Sequence, residues 1–195
     1  KPSSAASDVY KRQALVFVAT FSLASNLVFL SLKSRAKSLK PVILAGLVSA
    51  FLLTLGGNLH TIVYVLKDGK DKYWYPDATR FIGYRPDNPN DKTIHEFPSY
   101  SFVVADLHGH MNDIPTVLLF VAVLLVLGAK LSKERKLKIV NCKLEIPLIA
   151  LLLAVMYMTN SWDFPIYGVL FALFTLFLNL KKGKNKERAL SGWVV

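Results

Sequence analysis

One cysteine in 195 residues, Cys142, excludes an internal disulfide framework and any thiolate-built metal site. Charge is scarce as well: 19% of residues are Asp, Glu, Lys or Arg against 53% hydrophobic, too few for an ordinary soluble domain. Mean hydropathy is +0.38. No His-Glu-x-x-His helix is present, so the usual zinc-hydrolase signature is missing. Internal repeats and low-complexity tracts are absent too. Ionisable side chains are nearly missing from the apolar runs, His60 near the end of one being the exception, which counts against a charged transport pathway.

What is there is a set of five apolar runs, near residues 14–32, 41–59, 114–131, 146–159 and 165–180. Each approaches the roughly 17–25 residues that cross a hydrocarbon core, the last two being short. The expected fold class is therefore an all-α integral membrane protein of about five transmembrane helices, with one long loop over residues 67–113. Asn26 in the first run is expected to bond between helices. Pro41 opens the second run at a favoured helix position, and Gly56 and Gly57 predict a bend near its end.

Net charge is +11, which in a soluble protein would suggest nucleic acid; its placement argues against that partner. Residues 33–40 carry four Lys or Arg, 130–143 six against one Glu, and 181–188 five against one Glu. These segments alternate with the 67–113 loop, where eight acidic residues outweigh six basic ones, and with the 160–164 turn, which holds only Asp163. That is the positive-inside pattern. The long loop and the 160–164 turn are expected to share the extracytoplasmic face, in the plasma membrane of a prokaryote, with anionic membrane lipid as partner of the basic loops.

The ends set further expectations. "SSAASDVYKRQ" resembles translated sequencing-library adapter, so residues 1–13 are left out of the predicted fold, and 14–195 are expected to be part of a larger polytopic domain.

Ionisable groups gather in "SFVVADLHGHMNDIP", residues 101–115. Spaced i, i+2, i+4, Asp106, His108 and His110 share one side if extended; in a helix Asp106, His110 and Asp113 share a face while His108 turns away. Carboxylate and imidazole together bind a divalent metal, hold a phosphate, or form a general base with its orienting partner. Glu96, next to His95, is a further base. Asp113-Ile-Pro and Asp163-Phe-Pro each read as a helix N-cap followed by proline, and both aspartates are also candidate substrate-binding groups. Asn160 and Trp162 flank the second, Trp162 as interface anchor or stacking surface. Asp77 and Arg80, three apart in "YWYPDATRF", form a local ion pair or, through Arg80, a phosphate clamp. Eight aromatic residues over 73–102 are too many for a solvated linker, and "YRPDNPND" reads as an exposed turn.

Taken in order, "YWYPDATRFIG", "TIHEFPSYSFVVADLHGHMNDIP" and "TNSWDFPIY" resemble the poorly characterised YYY-motif family of multi-pass membrane proteins, over about residues 14–180. Family members carry Asn where His95 stands and Pro where Gly109 stands. The family is similar to membrane glycosyltransferases of the GT-C class. That resemblance implies a GT-C-like helical bundle, of which this chain holds a fragment, and a polyprenyl-phosphate sugar donor used on the extracytoplasmic face. Asp106 or Glu96 would be the catalytic base or a metal ligand, and His108 and His110 would bind metal or donor phosphate. Asp77, Arg80, Asp113, Asn160, Trp162 and Asp163 would hold substrate. The rival readings are a non-enzymatic transporter or channel component and a metal-dependent membrane hydrolase.

Overall fold

The computed structural model describes residues 4–32, 38–84, 86–105, 108–133 and 142–191, and every regular element among them is helical. Two compact units divide the chain, Lys1–Leu107 and His108–Val195.

In the first unit, α1 (Ser4–Leu32) runs alongside α2 (Lys40–Leu55). α1 begins well inside the segment left out of the predicted fold, and Val9 there is fully buried. The two helices meet through small and β-branched side chains, Val16 and Thr20 against Val42, Ala50 and Thr54 being the buried set. Gly46 lets α2 close on Phe21 and Ser25 of α1; any β-carbon there would overlap both side chains. Such close approach is how helices associate where lipid supplies no hydrophobic driving force. Ser25 Oγ donates to Val42 O at 3.3 Å and Gln13 Nε2 to Thr54 O at 3.3 Å. Asn26, expected to tie helices together, instead donates to Ser22 O on its own helix at 2.8 Å and is exposed. The carbonyl one helical turn back is within its reach, and an exposed side chain finds no facing helix among the described residues to bond.

α2 stops at Gly56, whose extended backbone leaves the helix, and α3 (His60–Asp68) continues at an angle of 66°. The bend falls where the glycine pair predicted it. Gly57 is also a docking point: Ser99 and Phe97 crowd the space a β-carbon would take, and Ser99 N donates to Gly56 O at 3.0 Å. Ser99 belongs to α4 (Pro98–Val104), which Pro98 opens and Ala105, with φ of 57°, closes. Between α3 and α4 run two 3-10 turns, Lys70–Lys72 and Tyr75–Thr79. Asn58 Nδ2 donates to Ala78 O at 2.7 Å and His95 N to Thr79 O at 2.9 Å, so the second turn is stitched down with Pro76, Ala78 and Thr79 buried. Residues 86–91 are exposed as expected; Asn88 N donates back to Gly83 O at 2.8 Å, and Asp91 N donates to Asn88 O at 3.1 Å to close the turn. The Asp87 carboxylate accepts from Lys92 Nζ at 2.8 Å and holds that ammonium above the usual lysine range.

The second unit is α5 (Gly109–Lys133), α6 (Glu145–Thr159) and α7 (Asp163–Ser191). Phe120, Leu124, Leu127 and Leu131 form one stripe of α5 at helical spacing, and Ile149, Leu152 and Met156 a matching stripe of α6. Leu178 and the partly buried Tyr167, Phe171 and Phe174 of α7 complete the core, Gly128 making room for the Phe174 ring. Cys142 is buried at its edge. Lys130 Nζ meets Glu145 Oε1 at 2.9 Å where α5 ends and α6 begins.

Three helices are long and apolar enough to cross a membrane, over Ser7–Leu32, Gly109–Leu131 and Asp163–Lys181, and the bent α2–α3 pair makes a fourth if it counts as one span. α6 is apolar but has 15 residues, about 22 Å at 1.5 Å per residue against a core of about 30 Å. Three to four spans among the described residues thus stand where five were expected. α5 also starts at Gly109, five residues before Ile114, the expected edge of the third span.

Candidate functional site

The polar residues singled out above fall into two groups, one in each unit. In the first, His60 opens α3 and Asn58 Oδ1 accepts from its backbone N at 3.2 Å, an Asx-type turn leading into the helix. His60 Nε2 reaches Asp77 Oδ2 at 3.3 Å, with side chains only 15% and 17% exposed. Tyr64 and Phe81 flank the imidazole at centroid distances of 5.4 and 5.6 Å. The carboxylate of Asp77 therefore goes to His60 rather than into the local pair with Arg80 that the spacing suggested. Arg80 lays its guanidinium 4.8 Å over the Trp74 ring instead. The residues sit in and just after a 3-10 turn, where positions three apart do not project as on an α-helix. Trp74, Tyr75 and Phe81 keep exposed faces, while Tyr75 and Phe97 both pack on Tyr100.

Glu96 is anchored just before α4, accepting from Ser101 Oγ at 2.9 Å. Its neighbour His95 approaches Thr93 Oγ1 at 3.5 Å. Asp106, the residue on which most of the expected chemistry turns, lies outside the described residues.

The second group occupies one end of the second unit, where α5 and α7 begin and α6 ends. Gly109 packs directly on the Thr159 carbonyl, a position closed to any side chain. His108 stands just before α5, its carbonyl accepting from Asn112 N at 3.0 Å. Its ring stacks on that of His110, centroids 5.6 Å apart and planes 23° from parallel. Of the two alternatives for this stretch, the helix takes in His110 and Asp113 and begins one residue after His108.

Asp113 is fully buried. It is not an N-cap: α5 starts at Gly109, which places Asp113 in the second turn and Pro115 inside the helix. Neither of its carboxylate oxygens receives a hydrogen bond among the described residues, although the Asp163 carboxylate and the Thr116 hydroxyl both lie close by. Asp163 is the first residue of α7. Asn160 Nδ2 donates to Asp163 Oδ2 at 2.8 Å, and Asp163 N donates to Asn160 O at 2.9 Å, closing the turn between α6 and α7. Trp162 projects outward, 76% exposed, as an interface anchor would.

Sequence reasoning missed three members of these groups. His60 was seen only as a polar residue near a span end, and its partner lies 17 residues away through an irregular loop. Thr116 and Tyr167 were legible in principle, as i+3 from Asp113 and i+4 from Asp163 on helices. No three His, Cys, Asp or Glu side chains among the described residues converge as metal ligands.

Helices of this length and composition define a multi-pass helical membrane protein. The chain belongs to the uncharacterized membrane protein family DUF2298, whose model matches residues 11–194. The expectation of a poorly known multi-pass family is thereby met. No curated protein and no solved structure matches the chain.

Proposed function

We propose that the protein is a polytopic membrane enzyme that transfers a sugar from a polyprenyl-phosphate carrier at the extracytoplasmic boundary of a prokaryotic plasma membrane. One observation carries this reading: His108, His110, Asp113, Asn160 and Asp163 gather at a single end of three apolar helices, a wet mouth above a lipid-like body. The alternation of basic and acidic connections supports the outward orientation of that end. The YYY-motif and GT-C resemblance of the three sequence segments supports the reaction class.

In the reaction, Asp106 or Glu96 takes the proton of an acceptor hydroxyl as its oxygen bonds to the anomeric carbon. The bond from that carbon to the phosphate oxygen breaks, and the electron pair leaves with the lipid phosphate. His108 and His110, alone or with a divalent metal, offset the charge on the departing phosphate. Within the first unit Arg80, held flat on Trp74, presents a planar donor for phosphate; within the second, Trp162 presents an exposed ring for sugar. Asp77 acts on this loop through His60. Transfer from a polyprenyl-phosphate sugar by the full-length protein, abolished in Asp106→Asn, is the expected result; undiminished transfer by that variant contradicts the assignment.

A second reading gains from one structural fact. Asp113 is an ionisable group inside a helix of spanning length, which the transporter reading requires and the sequence lacked. Ion flux into proteoliposomes without any donor lipid, lost in Asp113→Asn, would favour it over transfer.

A further inference from the structure

Asp113 presents an imbalance that the helix-packing account leaves open. A carboxylate removed from water is costly unless paired and hydrogen-bonded, and removal of all its partners leaves a penalty of several kcal/mol on the order of that for any buried lone charge. Asp113 is fully buried, neither of its oxygens accepts a hydrogen bond of ordinary geometry among the described residues, and the polar groups beside it are the Thr116 hydroxyl and another carboxylate, Asp163. Among the described residues no Lys or Arg is ion-paired with either aspartate. The Asn160 amide relieves one oxygen of Asp163 only.

We infer that Asp113 and Asp163 together seat one divalent cation between the second turn of α5 and the first turn of α7. The donor set is all oxygen: two carboxylates, with the Thr116 hydroxyl beside Asp113. Such a set suits hard ions, magnesium, manganese or calcium, and not the sulfur- and imidazole-seeking metals. Two carboxylates are also the usual protein share of a magnesium or manganese site, water or a substrate phosphate completing the shell. The stacked histidines are then neighbours of the ion and not its ligands. The seat rests on the packing of the second unit alone; only its use, drawing the phosphate oxygens of a donor lipid to this end of the helices, rests on the transfer reading.

The probe is manganese alone, with no lipid donor or acceptor, added to the full chain in detergent and followed by loss of the free-ion electron spin resonance signal. One ion per chain is expected. Affinity should fall by more than the roughly 10–100-fold that loss of an outer partner costs, in Asp113→Asn and in Asp163→Asn separately, and should survive in a His108→Ala, His110→Ala double variant. Terbium supplies a location that does not depend on those variants folding. Trp162 adjoins Asp163 and is largely exposed, so Trp162→Phe leaves the core intact; it should retain manganese and lose most tryptophan-sensitised terbium emission. The inference is overturned by folded wild-type protein that takes up no stoichiometric manganese, as a proton shared between the two carboxylates would give. It is overturned equally by uptake that both Asn variants keep, or by terbium emission indifferent to Trp162.

Discussion

His60 Nε2 lies 3.3 Å from Asp77 Oδ2, joining the start of α3 to a buried 3-10 turn 15 residues further along the chain. Both side chains are largely out of water, between Tyr64 and Phe81, so the contact is a tether and not a surface ornament. His60→Ala removes the pair and the ring packing together. It is expected to destabilise the 69–82 segment by about 1–3 kcal/mol, seen as faster amide exchange there with little change in α1. In a double-mutant cycle with Asp77→Asn, a coupling of about 0.5–3 kcal/mol is expected, and simple additivity would show the contact to be idle.

Gly46 and Gly168 make opposite predictions. Gly46 sits under Phe21 and Ser25, and a larger residue must push α1 from α2; Gly46→Val should lower stability by about 1–3 kcal/mol. Nothing lies within 4 Å of a β-carbon at Gly168 in α7, so Gly168→Ala should hold or raise stability by up to about 1 kcal/mol through helix propensity. Thermal unfolding of both variants in the same detergent checks the pair.

Asp113 should reverse its effect with metal. Without divalent ions, Asp113→Asn relieves a buried carboxylate of its neighbour and should melt at or above the wild-type temperature. With manganese in excess, the wild type gains the binding free energy and the order should invert. An Asn variant less stable under both conditions would mean that the carboxylate holds the fold by some other contact.

Much of this architecture was legible in the chain, and its failures share a cause. Apolar runs located α2, α5, α6 and the apolar Asp163–Lys181 part of α7 to within a few residues because burial in lipid demands long uninterrupted stretches. The Gly56-Gly57 bend was legible for the same local reason. Asp113-Ile-Pro misled because a cap signal reports only three residues, whereas the close approach of Gly109 to the Thr159 carbonyl lets α5 begin a turn earlier. Asn26 misled because polarity in an apolar helix says that a partner is needed, not which one. The candidate site was half legible: "DLHGHMND" and "WDFP" named His110, Asp113 and Asp163, while the His60–Asp77 tether runs through a loop without periodicity.

The orientation is open to a direct check. Asn88→Cys, on the exposed turn, should react with a membrane-impermeant thiol reagent in intact cells, and Lys143→Cys, at the end of the basic 130–143 segment, only after permeabilisation. A Cys142→Ser background removes the single native thiol. Labelling in the opposite sense would put the candidate site on the cytoplasmic side and remove the basis for an outward-facing donor.

The central claim is that the protein performs sugar transfer with Asp106 or Glu96 as its base, and the most direct measurement compares wild type, Asp106→Asn and Glu96→Gln for product formed from a labelled polyprenyl-phosphate sugar. The account predicts transfer by the wild type, a loss of about 100-fold or more in the variant that removes the base, and a smaller effect in the other. Transfer unaltered in both variants, or a folded full-length wild type inert with every such donor supplied, would contradict it.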